Sequence, residues 1–202
     1  ERLVGYVDRG FVEIARTIFH SRGRLIITGI GKSAIIANKI VATLNSTGQP
    51  AVFMHAADAI HGDLGIIQPE DIILCISKSG NSPEIKVLVP FIRQMGNRLI
   101  GMVGNLESFL AQHSDHILNT TVAEEACPNN LAPTSSTTAQ MVMGDALAMT
   151  LLKMRGFTAQ DFARFHPGGA LGKKLYTRVR DIMSGEGAPR VAPEADLNAV
   201  II

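Results

Sequence analysis

The chain has 202 residues, 46% of them hydrophobic, and its 19 Lys and Arg against 18 Asp and Glu leave a formal net charge of +1. That length and composition suit one substantial core without help from disulfides or metals, and the near balance of charge excludes the basic face of a non-specific nucleic-acid binder. Two distant cysteines, Cys75 and Cys127, exclude a disulfide framework and predict a reducing, cytoplasmic setting; no apolar run approaches the ~20 residues of a membrane span. Glu1 rather than Met stands first, so a processed or trimmed chain is expected.

Residues 3–19 place Val4, Val7, Phe11, Ile14 and Ile18 at helical spacing, which predicts an opening helix. Leu25-Ile26-Ile27 then runs into Gly29-Ile30-Gly31, and so short and continuous an apolar run predicts a strand buried on both faces, as in parallel sheets. Ser33 is placed to cap a helix carrying Ile36, Ile40 and Leu44 on one face and stopped by Gly48 and Pro50. Further strands are predicted at Ala51-Val52-Phe53, Asp71–Ile76, Arg98–Val103 and His116-Ile117-Leu118, with helices from about Pro83 to Met95 and through Phe109-Leu110. The alternation predicts an α/β fold with a doubly wound parallel sheet, whose ligands lie beyond the carboxyl ends of the strands. The stretch from Thr137 to Met154 is apolar almost all round and predicts a helix either central to the core or, the favoured reading, in a subunit interface. Gly185, Gly187, Pro189 and Pro193 predict a linker after Arg180.

Gly29-Ile30-Gly31-Lys32-Ser33-Ala34 is not a Walker A loop, because Ile26 stands where its first glycine is needed. A dinucleotide fingerprint fits the glycine spacing but wants an acidic residue after the second strand, and none stands around Phe53–His55. What remains is a tight turn into a helix N-terminus, with Lys32 where an anion would be welcome. Ser77-Lys78-Ser79-Gly80-Asn81-Ser82-Pro83-Glu84 is the sharper signal: it follows a buried strand and precedes a helix with Pro83 at its first position. An ordinary N-cap accounts for Ser82 alone. Ser77, Ser79 and Gly80 as well predict a phosphate cradle made of hydroxyls, a permissive glycine and helix-end N–H groups.

Glu84 and Glu125 read equally as a dipole-complementing acid and a solvated loop acid, or as proton carriers beside a phosphosugar. Ala132–Thr138 holds more hydroxyls than a cap needs, which leaves Thr134 and Ser135 for a ligand. His61 and His166 each sit in a glycine-rich turn, where a lone histidine is ordinary polar surface. The six histidines show neither HExxH nor Cys/His spacing, so no metal site is predicted.

With these residues assembled, the chain resembles the sugar isomerase (SIS) family and, within it, the D-arabinose 5-phosphate isomerases. The resemblance rests on Gly29–Ser33, Ser46-Thr47-Gly48, His61–Gly65, Ser77–Gly80, Glu125-Ala126-Cys127-Pro128, Leu131–Thr137, Met143–Ala148 and His166–Gly172. The serine loop alone indicates the superfamily; the last four runs are more specific. The resemblance implies a five-stranded, flavodoxin-like sheet over residues 1–178, and reversible conversion of D-ribulose 5-phosphate to D-arabinose 5-phosphate through an enediol, with no cofactor. It implies a product that feeds synthesis of the acid sugar Kdo for lipopolysaccharide or capsule, and a homotetramer. It also suggests feedback binding of CMP-activated Kdo. Lys32, Glu84, Glu125 and His166 match the positions held to be catalytic in the family. Substrate binding is expected at Gly31, Ser33, His61, Ser77, Ser79, Gly80, Asn81, Ser82, Thr134 and Ser135.

An enediol pathway needs a positioned base and stabilisation of negative charge. Glu125 is expected to take the carbon-bound proton and Lys32 to face the oxyanion. His166 would shuttle hydroxyl protons or open the ring, and Glu84 would orient the sugar or share the base role; Glu125 and His166 can exchange parts. The sequence departs from the family at Ala34 and Ile35, where a polar pair such as Gly-His is common, and these are expected to alter the pocket wall. Residues 179–202 resemble a linker and the opening of a CBS domain that the chain does not complete. A phosphosugar-sensing module without turnover, and an isomerase of another phosphosugar such as a hexulose 6-phosphate, are the competing readings.

Overall fold

The structure is a computed structural model that describes residues 2–182 and 192–196. The chain forms two compact units, Glu1–Phe162 and Ala163–Ile202, dividing ahead of the expected boundary at residue 178. In the first unit a 3-10 turn (Arg2–Tyr6) leads to α1 (Arg9–His20), where the Asp8 carboxylate accepts the Phe11 N–H at 3.1 Å and caps the helix. There follow β1 (Leu25–Gly29), α2 (Lys32–Ser46), β2 (Ala51–His55), α3 (Ala56–Ala59), β3 (Ile72–Ser77), α4 (Pro83–Met95), β4 (Arg98–Val103), α5 (Phe109–His113), β5 (His116–Asn119) and α6 (Ser135–Met154). All pairings are parallel, in the order β2-β1-β3-β4-β5. The expected five-stranded doubly wound sheet is therefore present.

β1 and β3 are buried at every position, as their unbroken apolar runs require. Successive side chains leave on opposite faces. Leu25, Ile27, Leu74 and Ile76 join the core that includes α1, α2 and α6, whereas Ile26, Ile73 and Cys75 join the core that includes α3, α4 and α5. Each fully buried Leu or Ile contributes about 1.5–3 kcal/mol, so these two strands anchor both layers.

Three local expectations need correction. Ser33 does not cap α2: the cap is Gly31, at φ +57°, and Ser33 lies within the first turn, donating to Gln140 Oε1 of α6 at 3.3 Å. A left-handed backbone there is open to glycine, and it turns the chain straight from β1 into the helix. The apolar helix starts at Ser135, not Thr137. Its apolar surface is also divided: Ala139, Met143, Leu147 and Leu151 are core, and Val142 and Met149 are exposed. Gly144 lets α6 lie close on α2, since a Cβ there would stand 2.3 Å from Ile40 Cδ1.

α7 (Ala159–Phe165) begins in the first unit; α8 (Ala170–Tyr176) and α9 (Val179–Ile182) belong to the second. The Gly169 N–H donates to the His166 carbonyl at 3.1 Å, and a Cβ on Gly172 would fall 2.2 Å from that same oxygen. The glycines of this run thus serve a close-packed turn. The expected linker and opening of a further domain lie largely over residues 183–191 and 197–202, outside the described residues. Among the described residues no helix is long and apolar enough to cross a membrane.

Candidate active site

From β1 the chain goes to β2 on one side and then returns to β3 on the other. The loops leaving the carboxyl ends of β1 and β3 therefore diverge, and the crevice between them is where open α/β sheets bind ligands. A hollow of ≈ 260 Å³ lies there. Its walls are Ile30, Lys32 and Ser33 after β1, Ser77, Lys78, Ser79 and Ser82 after β3, and Pro133, Ser136 and Thr137 at the start of α6. A larger hollow of ≈ 510 Å³ is bounded by Arg16, Glu70, Arg98 and their neighbours at the opposite end of the strands, away from these loops. Convergent polar groups, not volume, decide between them.

The β3 loop is folded by its own polar groups. Ser77 Oγ accepts the Gly80 N–H at 3.0 Å, and Ser79 Oγ accepts the Asn81 N–H at 3.3 Å. Each hydroxyl has thus used a lone pair inside the loop, and its own proton remains for a ligand. Gly80 holds φ +63°, and a Cβ there would stand 2.1 Å from Ser108 Oγ, so both backbone and space demand glycine. Ser82 occupies the N-cap of α4 but makes no capping bond, and its buried Oγ has no hydrogen-bond partner. Buried hydroxyls are normally paired. An unpaired one beside an uncapped helix end, in a hydroxyl-rich wall, is what an anion such as phosphate would complete. Asn81 is engaged otherwise: its Oδ1 accepts the Phe109 N–H at 3.0 Å and ties the loop to α5.

Glu125 has a different surrounding from a free base. Its Oε2 accepts the N–H groups of Thr134 (2.8 Å) and Ser136 (3.1 Å) and the Thr134 hydroxyl (3.2 Å). Its Oε1 accepts the Ser136 hydroxyl at 2.5 Å and lies 2.7 Å from Lys78 Nζ. The carboxylate, fully buried, therefore caps α6 from a loop outside the helix. Burial alone would raise its pKa, but the Lys78 ammonium, the Ser136 hydroxyl and the two N–H groups outweigh burial and hold it far below the usual carboxylate range.

The other expected residues are dispersed. Thr134 belongs to the Glu125 network, its hydroxyl also accepting the Ala126 N–H at 2.9 Å. Ser135 faces a neighbouring hollow with Thr121 and Glu124. His61 is exposed in the turn after α3, outside the walls of the crevice. Glu84 is half-buried in the first turn of α4, and its carboxylate has no hydrogen bond or ion pair with another described residue. His166 lies in the second unit. Ala34 and Ile35 do not form the pocket wall: Ala34 is in the core and Ile35 is exposed.

The sequence profile of the SIS domain matches residues 18–150, the stretch that supplies the sheet, the serine loop and most of α6. The chain belongs to the SIS domain family. Arabinose 5-phosphate isomerase KdsD of Pseudomonas aeruginosa is 47% identical over 203 residues, covering all of this chain and 62% of that protein. The KdsD of Escherichia coli K12 is 48% identical over 198 residues, covering 98% of this chain and 60% of that protein. The chain thus spans about three fifths of the length of these curated relatives. Among solved SIS structures, E. coli CFT073 c3406 in complex with arabinose 5-phosphate superposes with a TM-score of 0.78 at 37% identity, covering 82% of this chain and 89% of that one. The Vibrio vulnificus NanR protein, complexed with ManNAc-6P, has a TM-score of 0.64 at 16% identity over 88% of this chain and 62% of its own; it shares the fold alone.

Within this SIS domain, three residues that line the crevice escaped the sequence reading: Lys78, Ser136 and Thr137. Ser136 and Thr137 stand in a run with surplus hydroxyls, but only the turn of α6 selects which of them face inward. Lys78 had a signal, a cation inside the phosphate loop, that the serines around it obscured.

Proposed function

We propose that this chain carries the isomerase unit of a D-arabinose 5-phosphate isomerase. The observation that carries the reading is the β3 loop, where Ser77, Ser79 and the unpaired Ser82 hydroxyl stand on the same crevice as Lys32. The names of the relatives and the arabinose 5-phosphate in the c3406 complex support the choice of sugar. The serine loop and the end of α4 would hold the phosphate, and Lys32 would face the oxygen that becomes negative as the proton leaves carbon. An enediol carries the proton between adjacent carbons without a redox cofactor.

The proton itself is better assigned to Glu84 than to Glu125. A carboxylate saturated by five donors has little affinity for another proton, whereas Glu84 keeps its lone pairs free of described partners. His166 keeps the hydroxyl-proton or ring-opening role that family resemblance gives it. The exposed Val142 and Met149 on α6 support assembly into a homotetramer. A cytoplasmic setting, supply of Kdo synthesis and feedback by CMP-activated Kdo complete the reading. The feedback part fails if saturating CMP-Kdo leaves the melting temperature unchanged.

The test is conversion of D-ribulose 5-phosphate in a coupled assay, with solvent deuterium incorporation measured in parallel. The wild-type chain should form D-arabinose 5-phosphate. Glu84→Gln should lower kcat by about 10²–10⁴ and abolish deuterium incorporation, while Glu125→Gln should retain it. Normal exchange in Glu84→Gln would return the base role to Glu125 or His166. Tight binding of the sugar phosphate without any aldose product would instead support a sensing module.

A further inference from the structure

We propose that Lys78 is a substrate-contacting cation of this crevice, its ammonium held over the phosphate subsite by the buried carboxylate of Glu125. The inference rests on the reading that the crevice takes a sugar phosphate, and not on which residue moves the proton.

Lys78 lies between Ser77 and Ser79 in the loop, and its side chain lines the same hollow as Lys32. Its Nζ is 2.7 Å from Glu125 Oε1; the lysine side chain is 49% exposed and the carboxylate 0%. A structural reading would make Lys78 no more than the neutraliser of a buried anion. The Glu125 network argues otherwise. Four hydrogen bonds from Thr134 and Ser136 already fill the roughly four lone-pair sites of a carboxylate, and two of them come from N–H groups at the positive end of α6. The anion is solvated by the protein without the lysine. Lys78, for its part, has three N–H donors and uses one on Glu125, leaving two that meet no described acceptor at an open crevice.

The root of the side chain is fixed as well. The Gly104 N–H donates to the Lys78 carbonyl at 3.1 Å, and a Cβ on Gly104 would stand 3.0 Å from that oxygen and 3.4 Å from Lys78 Cγ. A lysine pinned at both ends has lost most of the rotamer freedom that weakens ordinary surface cations, so its charge is presented in advance of the ligand. Phosphate carries a charge of about −1.5 to −2 at neutral pH, which the serine hydroxyls cannot balance and which Lys32 and Lys78 together can. The unpaired Ser82 hydroxyl on the same wall marks where the missing acceptor belongs.

The experiment titrates inorganic phosphate and D-arabinose 5-phosphate into the full chain by calorimetry, and measures KM and kcat separately. Lys78→Met should weaken both ligands about tenfold to a hundredfold and raise KM by a similar factor, with a smaller change in kcat; Lys78→Arg should recover most of the affinity. Because Lys78→Met also leaves Glu125 without its cation, the double variant Lys78→Met/Glu125→Gln is measured beside it. Continued weak phosphate binding in the double variant supports direct contact. Recovery of wild-type affinity there would overturn the proposal, as would wild-type affinity in Lys78→Met or a wild-type chain that does not bind phosphate. A wild-type chain that binds phosphate through Lys78 but turns over no ribulose 5-phosphate would leave this inference standing and remove the isomerase reading.

Discussion

Gly80 joins backbone conformation to the chemistry of the loop. Its left-handed φ directs the N–H to Ser77 Oγ, and its missing Cβ leaves room for Ser108, whose hydroxyl caps α5 by accepting the Ala111 N–H at 3.3 Å. An alanine here must bear about 1–2 kcal/mol of left-handed strain and displace Ser108 as well. Gly80→Ala should therefore raise KM for the sugar phosphate at least tenfold, with a drop in melting temperature of only a few degrees because the loop is peripheral to the core. Unchanged KM in a kinetic assay would show that the hydroxyls are positioned without the glycine. At this scale the sequence is readable where one residue type has few uses: glycine and three serines after a buried strand have little else to do. It is unreadable where a role depends on a distant partner. Glu125 looked like a base because nothing in its neighbourhood along the chain announces the α6 N–H groups, the Ser136 hydroxyl or Lys78.

Elements show the same division between local pattern and tertiary choice. The runs of β1 and β3 could be assigned because continuous aliphatic strands have one home, the middle of a parallel sheet. α6 was found but not oriented, since a helix apolar all round gives no periodic sign of which side meets the core. Gly144 supplies that sign after the fact, marking the stripe pressed against Ile40 of α2. The Lys39–Asp145 ion pair bridges the same two helices. Gly144→Ala gains about 1 kcal/mol of helix propensity but introduces a Cβ inside contact distance of a fully buried isoleucine, a cost of about 1–3 kcal/mol. Net destabilisation is expected in urea unfolding. The double variant Gly144→Ala/Ile40→Val, which removes the clashing Cδ1, should recover part of the loss and exceed the additive sum of the single changes. Simple additivity would mean that α2 and α6 separate freely to accept the methyl group.

Across the whole first unit, stability and chemistry are placed at opposite ends of the sheet. At the carboxyl ends stand the serine loop and Lys32; before the amino ends stand Asp71 and Asp115, two carboxylates that tie loops to strands. Asp71 accepts the N–H groups of Arg24 (2.7 Å) and Gln68 (2.9 Å) and pairs with the Arg24 guanidinium at 2.7 Å, while Asp115 accepts the Leu99 N–H at 2.8 Å and pairs with Arg93 at 2.7 Å. In each case burial acts to raise the carboxyl pKa and is outweighed, by the Arg24 pair at Asp71 and by the Leu99 N–H and Arg93 at Asp115, so both sit below their ordinary value. A carboxyl with a depressed folded-state pKa stabilises fully above its unfolded pKa near 4, and that stabilisation is lost as pH falls from there through the folded value. Glu125 shifts in the same direction. Stability should thus be level with respect to these groups from about pH 5 upward and decline steeply below it. Asp71→Asn tests the sign, because it removes one titration without touching the crevice. It should cost about 1–3 kcal/mol at pH 7, where the carboxylate is fully charged, and show a shallower fall in unfolding free energy between pH 5 and pH 3, with KM for the sugar phosphate unchanged. An unaltered acid slope in that variant would assign the low-pH loss to Asp115 and Glu125 alone, and a raised KM would mean that the two ends of the sheet are mechanically coupled.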